Sequence, residues 1–282
     1  MAPQTNSQWE DIDEGEEDGD DNVGAGHGDD AELAWELGIR ISEVAGIILK
    51  TFQEGLDSKP MDDLVAKLVD SGWVCSQRSP GDSTAHGSVA LQASWTSNRQ
   101  HIAVVLLADV AEGTACLRYF IQRFSRIILP ALTHMEPRIR QAAWFATGQL
   151  VSNPAYEGDH WSTFVQPLVA PLLVQALAED SDDEAIINAT SNVISACMKQ
   201  YLKTQPGPVW LAWLEKYCLL CRDAEEACAI GQNMLISAAA SLDDAHKVKV
   251  KALVQQMADN IKARGINLED QQAALNALMA AM

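Results

Sequence analysis

Cys218-Leu-Leu-Cys221, with Cys228 close behind, is the spacing in this 282-residue chain that comes nearest to a metal or redox site. Zinc needs four ligands, and a redox CxxC pair normally stands at a strand–helix junction. Here the pair follows Trp213 inside a helical pattern, with no second CxxC and no paired histidine near it in sequence. The spacing is therefore assigned to buried structural thiols. The six histidines, at 27, 86, 101, 134, 160 and 246, form no HxxxH or HExxH set. Asp109 and Glu112 share a helix face, but carboxylates without a pocket fit bonds between packed helices better than acid–base catalysis. Gly24-Ala-Gly26-His-Gly28 lies among acids, a setting hostile to phosphate. No catalytic residue, metal ligand or cofactor-binding residue is assigned, and an enzyme is not expected.

What remains is the chemistry of contact. Asn188 and Asn192 are i, i+4 neighbours on one helix face, where their amides would either grip an extended peptide backbone or bond a neighbouring helix. Trp210 and Trp213 are the aromatic candidates for the same peptide contact. The run from Pro137 to Asn153 predicts a helix with Ile139, Ala142, Ala143, Ala146 and Leu150 on one apolar stripe, begun by Pro137 and stopped by Asn153-Pro154. Arg138 and Arg140 stand at its N-terminus, where the macrodipole disfavours cations by about 0.3–1 kcal/mol each. An acid on an adjacent helical pair would offset that cost, with Asp109, Asp182 and Asp183 as the candidates for such structural ties.

Charge narrows the partners. The formal net charge is −19, and residues 1–32 hold twelve Asp/Glu with no Lys or Arg. The other 250 residues carry 27 acids and 20 bases. Direct nucleic-acid binding needs clustered cations and is not expected. Basic protein partners suit the balance. No apolar run reaches the ~18–20 residues of a membrane span, and the opening Met-Ala-Pro-Gln-Thr-Asn lacks the basic-then-apolar layout expected of a signal peptide. Six cysteines without a secretory signal predict reduced thiols in the cytosol or nucleus.

In chain order, residues 1–30 are acidic, Gly-rich and expected to be disordered. A helix is expected from about Asp30 to Leu56, with Leu33, Leu37, Ile41, Val44, Ile48 and Phe52 on its stripe, and a second amphipathic helix runs through Leu64, Leu68 and Val69 to Gly72. Residues 73–97 read as a long polar loop broken by Pro80, Gly81 and Gly87. Helices follow over 98–113, 116–135 (with Pro130 inside), 137–152, 161–178 (with Pro171 inside), 184–203, 208–221, 223–241, 243–264 and 268–281, with no convincing strand. Pairs open near Asn98, Pro137, Asp182 and Asp223, at offsets of 39, 45 and 41 residues, which is the HEAT spacing. The expected fold of residues 31–282 is all-α. It is a right-handed α-α superhelix, a HEAT-repeat (armadillo-like) solenoid of about five helical pairs plus a terminal helix.

Several segments resemble the C-terminal part of importin-β-type nuclear transport receptors, in the importin β-3 (karyopherin β-3) branch. That branch carries Pro-x-Val-Arg-Gln-Ala-Ala-x-x-x-x-Gly where this chain has Pro137-Arg-Ile-Arg140-Gln-Ala-Ala and then Gly148. Its Leu-Pro-Leu-Leu-Val is similar to Ala170-Pro-Leu-Leu-Val174, and its Asn-Ala-Thr-x-Asn-x-Ile-Ser-Ala to Asn188-Ala-Thr-Ser-Asn192-Val-Ile-Ser-Ala196. Trp210-Leu-Ala-Trp213-Leu and Gln271-Gln-Ala-Ala274 complete five motifs in order, while 73–97 and 222–264 depart from the pattern. The resemblance implies a cargo-wrapping solenoid that binds basic cargo proteins and other transport factors. The helices over 116–135, 161–178, 208–221 and 243–264 would line its groove. It also implies shuttling between cytoplasm and nucleus, with the nuclear envelope or pore as a further station. Such receptors are several times longer and bind Ran-GTP through N-terminal repeats with no counterpart here. The chain is thus expected to be a C-terminal fragment or a shortened relative, and Ran-GTP contact is not implied. The alternative is a general HEAT-repeat scaffold subunit of a multiprotein complex.

Overall fold

The computed structural model describes residues 28–52, 66–70, 89–112, 117–153, 167–179, 183–204, 207–230 and 242–263, with single residues 63, 73 and 280. The acidic segment 1–27, Asp182, residues 231–241 and nearly all of the helix expected over 268–281 lie outside them. Among the described residues 92% are helical and none is in a strand, so the fold is all-α.

The long helices are α1 (Gly28–Phe52), α2 (Val89–Glu112), α4 (Pro137–Ser152), α6 (Glu184–Thr204) and α9 (Asp244–Ala263). Between them lie α3 (Leu117–Arg123), α5 (Ala170–Glu179), α7 (Gly207–Tyr217) and α8 (Ala224–Ala229). Helices lie side by side in chain order, α1 on α2, α2 on α4, α4 on α6 and α6 on α8. One apolar cluster runs through them from Val69 and Trp73 to Met257 and Ala258.

The α4 helix shows why. The five residues of its expected stripe are buried, and so are Trp144, Thr147, Gly148 and Val151, because α2 covers one flank and α6 the other. Thr147 turns its hydroxyl back onto the Ala143 carbonyl at 2.8 Å, so its polar atom enters the core already satisfied. Gly148 permits the approach of α6, since a Cβ there would fall 2.5 Å from Asn192 Oδ1.

Three expectations are corrected. The stretch 73–97 is not wholly loop, because α2 begins at Val89. Val89-Ala-Leu-Gln-Ala93 has no breaker after Gly87, and the polar residues up to Asn98 are admissible in a helix of this length. The helix over 116–135 is not continuous either. It widens into a π-helical turn at Phe124–Ile128, where the Leu129 N–H reaches the Phe124 carbonyl, and Pro130 follows at once. Pro171 likewise follows a π-helical turn, at 167–169, and stands in the first turn of α5. A widened turn gives the proline ring room and leaves its missing N–H without consequence.

The third correction is the orientation of α1. Five residues of its expected stripe do not enter the core: Leu33, Leu37, Ile41, Val44 and Ile48 are exposed, together with Ile47, while the Phe52 side chain lies outside the described residues. Its small side faces α2 instead. Ile102 lies against Gly38, Asp109 against Gly46, and Ser42 is buried between them with its hydroxyl on the Ile39 carbonyl at 2.7 Å.

Candidate protein-binding surface and the ties that shape it

The arginines at the start of α4 have an electrostatic home that their sequence position hides. Arg140 Nη1 donates to the carbonyls of His134 at 2.6 Å and Met135 at 3.0 Å, in the turn after the short helix Leu129–Ala131. Those carbonyls belong to the turn itself, beyond the end of the preceding helix, so the cation braces the turn that leads into α4. Arg138 is exposed and acts across to α2. Its charge adds to burial in holding the His101 imidazole down to about 4. Asp109 lays its carboxylate over Gly46 of α1. Asp183 caps α6, its Oδ1 accepting from the Ile186 N–H at 3.2 Å and its carbonyl from the Ile187 N–H at 2.9 Å.

Neighbouring helices are tied by side-chain amides onto helix ends. Asn153, 3% exposed, donates Nδ2 to the carbonyls of Ala111 at 2.6 Å and Glu112 at 3.3 Å, closing the end of α2. Gln200 donates Nε2 to the Val151 carbonyl at 3.0 Å, closing the end of α4. From within α6, the Ser191 hydroxyl accepts from the N–H groups of Arg222 and Asp223, both at 3.2 Å, ahead of α8. Asp223 then caps α8 through the Glu226 N–H at 2.8 Å. The end groups a helix cannot satisfy alone are thus met from the next pair.

An ion pair completes the set. Arg123 is 8% exposed, places Nε and Nη2 on the two carboxylate oxygens of Asp70 at 2.8 and 3.0 Å, and gives Nη1 to the Tyr119 carbonyl at 3.2 Å. Arg126 joins Asp70 from the exposed side. Sequence reading missed this triad. The signal was a lone cation among Tyr119, Phe120, Phe124 and Ile127, since a charge in an apolar stripe must find a counter-charge.

Of the residues expected to touch a peptide, Asn188 is exposed near the start of α6. Asn192 is exposed too, but its Nδ2 donates to Glu226 Oε1 at 3.1 Å while its Oδ1 lies against Gly148. It therefore links α4, α6 and α8, the inter-helix role that had been the alternative. Trp213 is 5% exposed and packed on Tyr217 with ring centroids 4.9 Å apart, so it belongs to the core and offers a partner almost no surface. The Trp210 side chain lies outside the described residues. Cys221 is buried, which pushes its thiol up to about 12, and Cys197 is raised by the same cause. The side chains of Cys218 and Cys228 lie outside the description, and no group of three or more metal-ligating residues occurs among the described ones.

The expected groove-lining helices present exposed polar and apolar side chains together. Lys249 of α9 meets Glu215 of α7 at 2.6 Å, and Val174 and Gln175 stand out on α5. Among the described residues no helix is long and apolar enough to cross a membrane. No family model matches the chain, and no solved structure matches it.

Proposed function

We propose that this chain is a protein-binding HEAT-type solenoid, a right-handed α-α superhelix. In this reading it takes up basic proteins in the manner of the cargo-wrapping part of an importin-β-type receptor and travels between cytoplasm and nucleus. The observation that carries the architecture is the recurring amide tie. Asn153 and Gln200 each close the preceding opening helix of the row, reaching back 42 and 49 residues. Repeats that lean on their neighbours in this way build extended concave surfaces. Support for the transport reading comes from the five ordered motifs and the net charge of −19, which favours basic partners and steers their approach.

The test is capture of purified basic proteins, an arginine- and lysine-rich import-signal fusion among them, on the immobilised full chain. Binding is expected at low salt and is lost at roughly 0.5 M, where the Debye length falls to about 4 Å. Indifference to basic proteins at low salt would remove the cargo role. A stoichiometric partner held equally well at high salt would favour the general scaffold instead.

A further inference from the structure

The outer side of α1 carries Leu33, Leu37, Ile41, Val44, Ile47 and Ile48, between 42% and 63% exposed, while the small opposite side packs on α2. A surface helix facing only water carries polar residues there, and the end of a stacked array needs a polar outer face. The other exposed large apolar residues, Met135, Phe145, Val174 and Val248, are scattered over other elements. Leu37, Ile41, Val44 and Ile48 follow one another by four, three and four residues, the alternation of a two-helix seam.

We infer that α1 is a self-association face through which two copies of this chain pair antiparallel. The stripe reads almost the same in both directions about a point between Arg40 and Ile41. A two-fold axis there sets Leu33 beside the partner's Ile48, Leu37 beside the partner's Val44, and the two Ile41 side chains at the centre. Each Arg40, next to the axis, is already neutralised by Glu43 of its own helix at 3.0 Å. Charge selects the direction. Parallel pairing would align the two helix dipoles and set Asp29, Asp30 and Glu32 of both copies at one end, whereas antiparallel pairing opposes the dipoles and separates those acids. From Leu33 to Ile48 the helix rises about 22 Å. Covering six half-exposed aliphatic side chains per copy over that length buries on the order of 1,000 Å² in total, the size at which specific interfaces begin. The inference stands apart from the transport reading and needs no cargo.

Sedimentation equilibrium of the full chain tests it. The mass should rise with concentration toward twice the 30.6 kDa monomer. Leu37→Glu with Ile41→Glu should weaken association about tenfold or more at unchanged helicity, and Val248→Glu, on α9, should leave it unchanged. If the paired glutamates unfold α1, the paired serine variant replaces them. Mixing Leu37→Cys with Val44→Cys chains should give the 37–44 cross-link. A monomer at every concentration, as expected if another segment of the same chain covers the stripe, would overturn the inference. So would association that the α1 substitutions leave intact, or a Leu37→Cys chain that cross-links to itself.

Discussion

Asp70 and Arg123, 53 residues apart in sequence, meet through both carboxylate oxygens and two guanidinium nitrogens, with Arg123 sunk to 10% side-chain exposure and Asp70 keeping 25%. Planar two-point contact suits a guanidinium and would not survive replacement by lysine. The pair joins the π-helical turn Ala66–Asp70 to α3.

Removing the acid should hurt more than removing the base. Asp70→Ala leaves Arg123 desolvated and uncompensated, at a cost of about 2–3 kcal/mol, below the range of fully buried pairs because Asp70 retains some water. Arg123→Met leaves Asp70 beside Arg126 and the solvent, and should cost about 1 kcal/mol less. Urea unfolding midpoints of the two variants check the order, and Arg126→Ala should change stability by less than about 1 kcal/mol.

Asn153→Leu removes the donor that meets the Ala111 and Glu112 carbonyls and should cost about 1–3 kcal/mol. Asn153→Asp should be worse, since it turns a carboxylate toward two carbonyl oxygens. Amide exchange should place the loss at the end of α2 as well as at α4, because the tie belongs to both helices.

His101 gives a pH signature. Burial and the Arg138 charge hold its folded pKa near 4, against an ordinary 6.5. Between those values the unfolded chain binds the extra proton, so stability rises with pH. The contribution is complete above about pH 6.5 and is lost as pH falls toward 4, on the order of 3 kcal/mol over the whole window. His134 is lowered as well and adds in the same sense. Unfolding midpoints between about pH 5 and 7 should show the slope, and His101→Gln should flatten it.

Sequence punctuation made α4, α6 and α9 legible. Pro137 and Asn153 bound α4, while Asp183 and Asp243 cap the other two through the N–H groups of Ile186 and His246. Periodicity located α1 but not its orientation. A moment says that one side is apolar; it cannot say that the core would instead receive Gly38, Ser42 and Gly46, whose value is close approach. The start of α2 was hidden because polar composition reads as loop whether or not a helix continues. The bonds of Arg140 to the His134 and Met135 carbonyls were hidden for a related reason, since backbone acceptors leave no mark in a sequence. The amide ties of Asn153 and Gln200 were invisible on the same ground, and Trp213 reads alike as a core anchor or a binding aromatic.

The thiols give the last prediction. Cys197 and Cys221 are buried with raised pKa, so neither supplies thiolate near neutral pH. Native protein treated with a thiol reagent should leave both unlabelled, and labelling them should require unfolding. Cys221→Ser should therefore reduce stability without altering the native labelling count.

The hold of Arg140 on the carbonyls of His134 and Met135 has a mechanical consequence. It ties the turn before α4 to the first turn of that helix and so opposes hinging there. Between α4 and α6, Gly148 lies against Asn192, so any sliding of one helix along the other passes through that contact. A larger residue at 148 would collide with the Asn192 amide and should hinder that sliding.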